Sequence, residues 1–549
     1  MKLQNFKGWL KVNNTIIVDE TDQEVILRGI ALANLFSLEG YLLGSSKFGT
    51  DIGTFTRAQP MDRGRTFDAA IEELAGADYA EYFQKQWLRN YITKTDIQKI
   101  KKLGFNSIRI PLSARLFLKE EAGYHYIEDN FKLLDEIISW CKENTLYVII
   151  DMHGAPGGQS GVSCDDGLAN VPYMFLQADY EERCLQLWEK IAARYKDEPS
   201  IAGYEILNEP LCMPKWDYLI PKLKQFYDTA VKRIRAIDQR HILFLQGHRF
   251  ATRLEVFDHD YDPNFHNWVI TTHLYERLPD MQVFGPMLSK SKELNVPVWI
   301  GETGGSTHDD SMAGYHWMSM TYEYALEYHI GFCIWTYKSE NSAAWLCRYT
   351  NPPKFKLLTN YFYKGSPKPT YEESQSILNE LLANIKFENS EFNPKRIKSI
   401  MQSPGVELLA IGYDPQHNHS GNWSYASSDG FRREDHMHLV YEADYQESDS
   451  NKSEKYGNLE HSLLRLSKDE SASYTFRDID KSTVISIVYE NAQDAELIIS
   501  LSDYDYKTLT LNGSGQKEIL HASPTKVLTV TLKVQDGVLD LKKIISNYE

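Results

Sequence analysis

The chain has 549 residues, 42% of them hydrophobic and 12% aromatic, and a formal net charge of -17. That length exceeds one ordinary hydrophobic core, so two or three domains are expected, with ample apolar material to pack them. An acidic balance repels phosphate backbones and argues against a nucleic-acid partner, and the absence of any run of about 18 apolar residues argues against a membrane span.

Six cysteines, Cys141, Cys164, Cys184, Cys212, Cys333 and Cys347, form no CxxC pair. Cys141 and Cys333 sit inside apolar runs. The expectation is a reducing compartment and no disulfide framework. The opening MKLQNFKGWLKV lacks the apolar stretch of a signal peptide. A cytoplasmic location is therefore expected for the chain as written, or a secreted one if a signal was removed before numbering. Nothing in the sequence sets an oligomeric state.

In chain order the strand candidates are VILRGI from Val25, SIRIPL from Ser107, YVIIDMH from Tyr147, GYEILNEP from Gly203, HILFLQG from His241, VITTHLY from Val269, PVWIGETG from Pro297 and GFCIWTY from Gly331. Their interiors are continuous apolar or β-branched runs, as in parallel strands buried on both faces. Amphipathic helices lie between them. Tyr126 to Asn144 spaces Phe131, Leu134, Ile138 and Cys141 by three and four, and Tyr218 to Asp238 does the same with Leu219, Leu223, Phe226, Ala230 and Ile234. Eight βα units predict an α/β fold, a (β/α)₈ TIM barrel with insertions. A doubly wound sheet would want a glycine-rich phosphate loop after the first strand, and Arg28-Gly29-Ile30 leads into none.

A long insertion separates the first strand from the first regular helix, Thr93 to Leu103. It contains ANLFSLEG and a polar, glycine-rich stretch to about Arg65, and is expected to wall the top of the barrel. The last barrel helix is expected over about Tyr371 to Ile385. The reading divides the chain into a catalytic barrel over 1–386, a polar linker over 387–402 and a C-terminal β-sandwich over 403–549. The sandwich is read from short alternating strands such as SYTF, TVISIVYE, AELIISL, KTLTLNG and KVLTVTLKV.

Chemistry in a TIM barrel sits at the C-terminal ends of the strands. Strand four ends Leu207-Asn208-Glu209-Pro210, and strand seven ends Gly301-Glu302-Thr303. Two glutamates facing each other across a barrel mouth suit glycoside hydrolysis: one acid protonates the leaving oxygen while the other attacks C1. A nearby cation such as Arg109 would keep the nucleophile ionised.

FNSIRIP, DMHGAPGGQSG, LNEP, HLY, IGETG and the Trp335 strand, in this order, resemble glycoside hydrolase family 5 over residues 1 to 385. The resemblance implies a retaining β-glycosidase with Glu209 as acid/base and Glu302 as nucleophile. It implies Asn208 on the sugar 2-hydroxyl, Arg109, His153, His273 and Tyr275 completing the site, and Trp335 as a subsite floor. HGAPGGQSG and LRGIALANLFSLEG are similar to the exo-β-1,3-glucanase branch, which places Glu39 on the non-reducing-end sugar. Phe36 stands where that branch has tryptophan.

The resemblance implies an oligosaccharide or glycoside as partner, cleaved from the terminal β-linked glucosyl unit. Hydrolysis of a glycolipid or an aryl diglycoside is the alternative, and an inactive glycan-binding barrel a further one, against which the intact glutamate pair speaks. No cofactor or metal is expected: His153 and His273 show no third ligand at metal spacing. Asp165 and Asp166 read as a solvated loop pair. The tail resembles lectin-like carbohydrate-binding sandwiches through GYDPQ, FRRED and YEADY, with a structural prop as the favoured reading.

Overall fold

A computed structural model describes residues 8–46, 58–275, 279–304, 312–340, 345–415, 419–421, 432–443, 445, 460–501 and 504–549. Eight parallel strands close into a barrel: β1 (Arg28–Ala31), β2 (Ser107–Ser113), β3 (Tyr147–Gly154), β4 (Ile201–Glu205), β5 (Ile242–Gln246), β6 (Trp268–Tyr275), β7 (Val298–Gly304) and β8 (Gly331–Ile334). Closure runs through Phe332 opposite Arg28, Cys333 opposite Gly29 and Ile334 opposite Ile30. Each of the eight strand candidates supplies one barrel strand. Every residue of β2, β3, β4, β5 and β7 is buried, which is why their sequences show no alternation.

The helices follow the apolar spacing. α4 runs over Glu128–Glu143, with Phe131, Leu134, Ile138 and Cys141 buried, and α6 over Ile220–Arg235, with Leu223, Phe226, Ala230 and Ile234 buried. The insertion after β1 departs from expectation. It holds two helices, α1 (Gly64–Ala75) and α2 (Ala77–Asn90), ahead of α3 (Lys94–Lys102). Aromatic residues hid α2 in the sequence: Phe83 and Trp87 on it and Tyr91 just after it stack in succession, with centroids 5.9 and 4.8 Å apart. Residues 47–57 of the insertion lie outside the described residues.

The connection beyond α10 (Tyr371–Asn384) is structured. Asn393 caps α11 (Pro394–Met401), its side chain accepting from the Arg396 amide at 3.0 Å, with Pro394 in the first turn. An eight-stranded antiparallel sheet follows. Its strands are longer than the short ones read from the sequence: β13 (Thr483–Leu501) and β14 (Tyr504–Ala522) have 19 residues each and β15 (Thr525–Tyr548) has 24. Register shifts between Tyr489 and Ala492, and again between Ala492 and Ala495, break the β13–β14 ladder into segments. Those irregular stretches read as turns in sequence. The strings GYDPQ, FRRED and YEADY lie partly outside the described residues.

The sheet region is packed on the barrel through α8 (Met312–Glu327), which connects β7 to β8. The Arg477 guanidinium donates to Glu323 at 3.0 Å, and Ser319 Oγ donates to the Ser399 carbonyl at 2.9 Å. The Arg432 guanidinium lies 3.6 Å from the centroid of Tyr413 and 5.1 Å from that of Tyr324 on α8. One apolar cluster runs from Ile30 in β1 to Ile544 in β15.

Candidate active site

Arg109 on β2 is fully buried and organises the floor of the barrel mouth. Its Nη1 donates to Glu302 Oε1 at 2.7 Å, its Nε to Glu205 Oε2 at 2.5 Å, and its Nη2 to Asn208 Oδ1 at 2.8 Å, with Asp151 Oδ2 3.0 Å from Nη2. Burial opposes the guanidinium charge, but Asp151, Glu205 and Glu302 outweigh it and raise its pKa.

Glu302 lies two residues before the end of β7, in contact with two strands. Tyr275 OH donates to its Oε2 at 2.9 Å, while Arg109 holds the other oxygen. Gly301 before it allows a close approach. A Cβ there would lie 2.5 Å from Thr271 Cγ2, 3.0 Å from Glu205 Oε1 and 3.3 Å from His273 Nε2.

Glu209 follows β4 with φ of 41°, a left-handed backbone that a residue with a Cβ holds only when its surroundings impose it. The imposition is visible. Gln246 Oε1 accepts from the Glu209 amide at 2.7 Å, and the Leu211 and Cys212 amides donate to the Gln159 and Ser160 carbonyls at 3.0 and 2.9 Å. His273 Nδ1 lies 2.7 Å from Glu209 Oε1 and 3.5 Å from Glu302 Oε2. An oxygen of each glutamate and a nitrogen of His273 lie within 4.8 Å of one another. Burial raises the Glu209 carboxyl to about 7 against the pull of His153 and Arg109, and burial lowers His273 to about 4.

The first loop closes the other side. Glu39, 4% exposed, has its amide on Asn34 Oδ1 at 2.7 Å and its Oε1 3.0 Å from His153 Nε2. His153 Nδ1 is 2.8 Å from Asp151 Oδ2. Burial disfavours the imidazolium, but Asp151 and Glu39 reverse this and raise His153 to about 10. The Trp335 indole stacks parallel to His153, centroids 5.1 Å apart, and donates through Nε1 to Tyr41 OH at 2.7 Å. The Trp335–Thr336 peptide is cis.

All nine side chains singled out in the sequence therefore meet at one mouth: Glu39, Arg109, His153, Asn208, Glu209, His273, Tyr275, Glu302 and Trp335. Sequence reasoning missed Glu205, Gln246, Gln159 and Tyr41. Glu205 carried a signal, a charged residue inside the otherwise apolar GYEIL run. Gln246 donates to Glu205 at 2.6 Å, and Gln159 Nε2 donates to the His153 and Asn208 carbonyls at 2.8 and 2.7 Å.

Two expectations need correction. Asp165 and Asp166 are buried, 1% and 3% exposed, rather than solvated. Asp165 accepts from Ser160 N and Oγ, both at 2.7 Å, and from Gly167 N at 2.9 Å. Asp166 accepts from Arg65 N at 2.7 Å, Ser113 Oγ at 2.8 Å and the Arg115 guanidinium, tying the loop after β3 to α1. His273 also has more potential ligand neighbours than spacing suggested, since Glu209 and Glu302 converge on it. The Arg109 guanidinium on Glu302 stands against a cation at that point.

Residues 68–341 match the family described as Cellulase (glycosyl hydrolase family 5). The chain is similar to a beta-xylosidase of Phanerodontia chrysosporium, 31% identical over 278 residues, covering 51% of this chain and 53% of that protein. It is also similar to a probable glucan 1,3-beta-glucosidase A of Aspergillus fumigatus, 27% identical over 310 residues, covering 51% of this chain and 69% of that protein. The chain thus spans about half the length of the first relative and about two thirds of the second. A solved endogalactoceramidase structure covers 97% of this chain and 99% of its own, at 13% identity and a TM-score of 0.48. Strands β2 to β8, which carry every singled-out side chain of the mouth except Glu39, either within a strand or shortly after it, lie inside the matched segment, and residues 68–341 form a glycosyl hydrolase family 5 domain.

Proposed function

We propose that the protein hydrolyses β-glycosidic bonds with net retention, Glu302 acting as nucleophile and Glu209 as acid/base. The observation that carries this reading is the unequal pair at the mouth. Oxygens of Glu209 and Glu302 lie within 4.8 Å of each other, close enough for one carboxylate to attack C1 while the other acts on the glycosidic oxygen, as in the close pair of retaining enzymes. Glu302 is paired with the Arg109 guanidinium, whereas Glu209, raised to about 7 by burial, holds a proton near neutrality. Glu302 attacks C1 as the Glu209 proton passes to the glycosidic oxygen and the C1–O bond breaks. Glu209 then takes a proton from water, whose oxygen attacks C1 and releases Glu302. Asn208, its Oδ1 committed to Arg109, has its amide nitrogen to offer a 2-hydroxyl.

The substrate class proposed is a terminal β-linked glucosyl unit, as in a β-1,3-glucan or oligosaccharide. Glu39 motivates it: a buried carboxylate on the loop after β1, placed to accept from sugar hydroxyls and flanked by Trp335 as a platform. The relatives named beta-xylosidase and glucan 1,3-beta-glucosidase agree with action on β-linked sugars. Leu168 and Leu176 on the loop after β3, and Tyr218 after β4, are 47%, 40% and 65% exposed, which favours an apolar aglycone, as in a glycolipid or aryl diglycoside, as the second reading. NMR of fresh product tests the chemistry, with the β-anomer expected first. An α-anomer first sinks the retaining assignment. The first product from a long oligosaccharide tests the substrate: glucose alone supports the pocket, and an early spread of shorter oligosaccharides overturns exo action.

A further inference from the structure

Two cysteines flank Glu209. Cys164 lies in the short turn Ser163–Asp165 after β3, and Cys212 lies three residues beyond Glu209. The Cys164 thiol points at Glu209 Oε2 at 3.8 Å, and the Cys212 thiol donates to the Glu209 carbonyl at 3.2 Å. Both sulfurs and a Glu209 carboxylate oxygen lie within 4.8 Å of one another. Thiols and a carboxylate make a mixed donor set that suits zinc-like cations. With zinc–sulfur bonds near 2.3 Å and zinc–oxygen bonds near 2.0–2.2 Å, a tetrahedral centre places such donors about 3.5–3.8 Å apart. The 3.8 Å separation of Cys164 Sγ and Glu209 Oε2 is within about 0.3 Å of the sulfur–oxygen spacing such a centre needs.

The arrangement is held from outside. The Cys212 amide donates to the Ser160 carbonyl at 2.9 Å, while Ser160 N and Oγ both donate to Asp165 Oδ2 at 2.7 Å. One segment thus anchors the loops that carry both sulfurs. Cys212 is 2% exposed and Cys164 half-buried, so a cation reaches the group from the Cys164 side. Among the described residues, none of the other four cysteines stands in such a group.

We propose that Cys164, Cys212 and Glu209 form a three-ligand site for a zinc-like divalent cation, with solvent completing the fourth position. Binding releases the two thiol protons, and the Glu209 proton where it is held, and replaces them with two metal–sulfur bonds and one metal–oxygen bond. A cation on the Glu209 carboxylate takes the oxygen that would carry the proton, so metal binding switches hydrolysis off. This second step rests on Glu209 as acid/base; the site itself does not.

The test is a titration of the reduced full-length chain with Cd2+ under anaerobic conditions, following the ultraviolet thiolate-to-metal charge-transfer band and aryl β-glucoside hydrolysis together. The expected result is a band saturating at one equivalent, activity lost with the same midpoint, both reversed by EDTA, and Zn2+ competing for the site. C164S and C212S should each weaken binding at least 10-fold, and E209Q should weaken it while keeping the band. Inhibition without a thiolate band would place the metal on Glu209, His273 and Glu302 and overturn the proposal, as would an undiminished band in C212S. A one-equivalent band with undiminished hydrolysis would uphold the metal site and contradict Glu209 as acid/base.

Discussion

Glu209 differs from Glu302 in its surroundings, and the difference sets what each variant should do. Glu302→Gln should remove turnover by several orders of magnitude, because Arg109 and Tyr275 aim no other carboxylate at the same point; steady-state rates check this. Glu209→Ala should spare the first step for aryl glycosides with good leaving groups, which need no proton, and slow deglycosylation. The pH dependence follows from the raised carboxyl. Only protonated Glu209 donates, so kcat/KM on poor leaving groups should fall about tenfold per pH unit above about 7, and Glu209→Gln should lose that limb. The same shift acts on stability. A carboxyl raised from 4.5 to about 7 contributes stability that is full below the lower value and lost as pH rises through the upper one. Glu39→Ala should lower kcat/KM on glucosides by roughly 10- to 100-fold, the equivalent of about 1–3 kcal/mol for a charged hydrogen bond. An unchanged constant would remove Glu39 from the sugar site.

At the scale of elements, the strand ends do the positioning, and one glycine shows how tightly. Gly301→Ala inserts a methyl 2.5 Å from Thr271 Cγ2 and 3.0 Å from Glu205 Oε1, so something must shift. The expected outcome is a drop in kcat of about 10²-fold, the size of effect that a displacement near 1 Å produces, with the chain still folded by circular dichroism. The strands were legible because burial on both faces leaves unbroken apolar runs, and the two glutamates were legible because a charge after such a run is costly unless used. Gln246 and Gln159 were not, since their contacts cross from strand to strand and to loops and leave no trace in local spacing, while Glu205 showed only as a charge inside an apolar run. Asp165 and Asp166 misled for a related reason. Adjacent acids in a Gly-flanked loop read as solvated, and the arginines that bury Asp166, Arg65 and Arg115, lie 101 and 51 residues away. α1 and α2 hid because their apolar face includes ring stacking and their neighbours are polar and glycine-rich.

At the scale of the whole molecule, the C-terminal sheet shares its apolar cluster with the barrel and is anchored to α8, the helix between the strand of Glu302 and the strand preceding Trp335. We propose that it braces the barrel. Arg477→Ala should destabilise the chain by about 1–3 kcal/mol by leaving the buried Glu323 carboxylate without its cation, with chain-length preference unchanged. A lost preference for long substrates at an unaltered melting temperature would favour a glycan-binding role instead. We propose that a protonated Glu209 and an Arg109-paired Glu302 reach one anomeric carbon, and a direct measurement tests this. Incubation with a 2-deoxy-2-fluoro-β-glucoside carrying a good leaving group, followed by intact-mass and peptide analysis, should show one glycosyl ester on Glu302. An ester on Glu209, Glu205 or Glu39, or steady turnover with no trapped ester, would contradict the account.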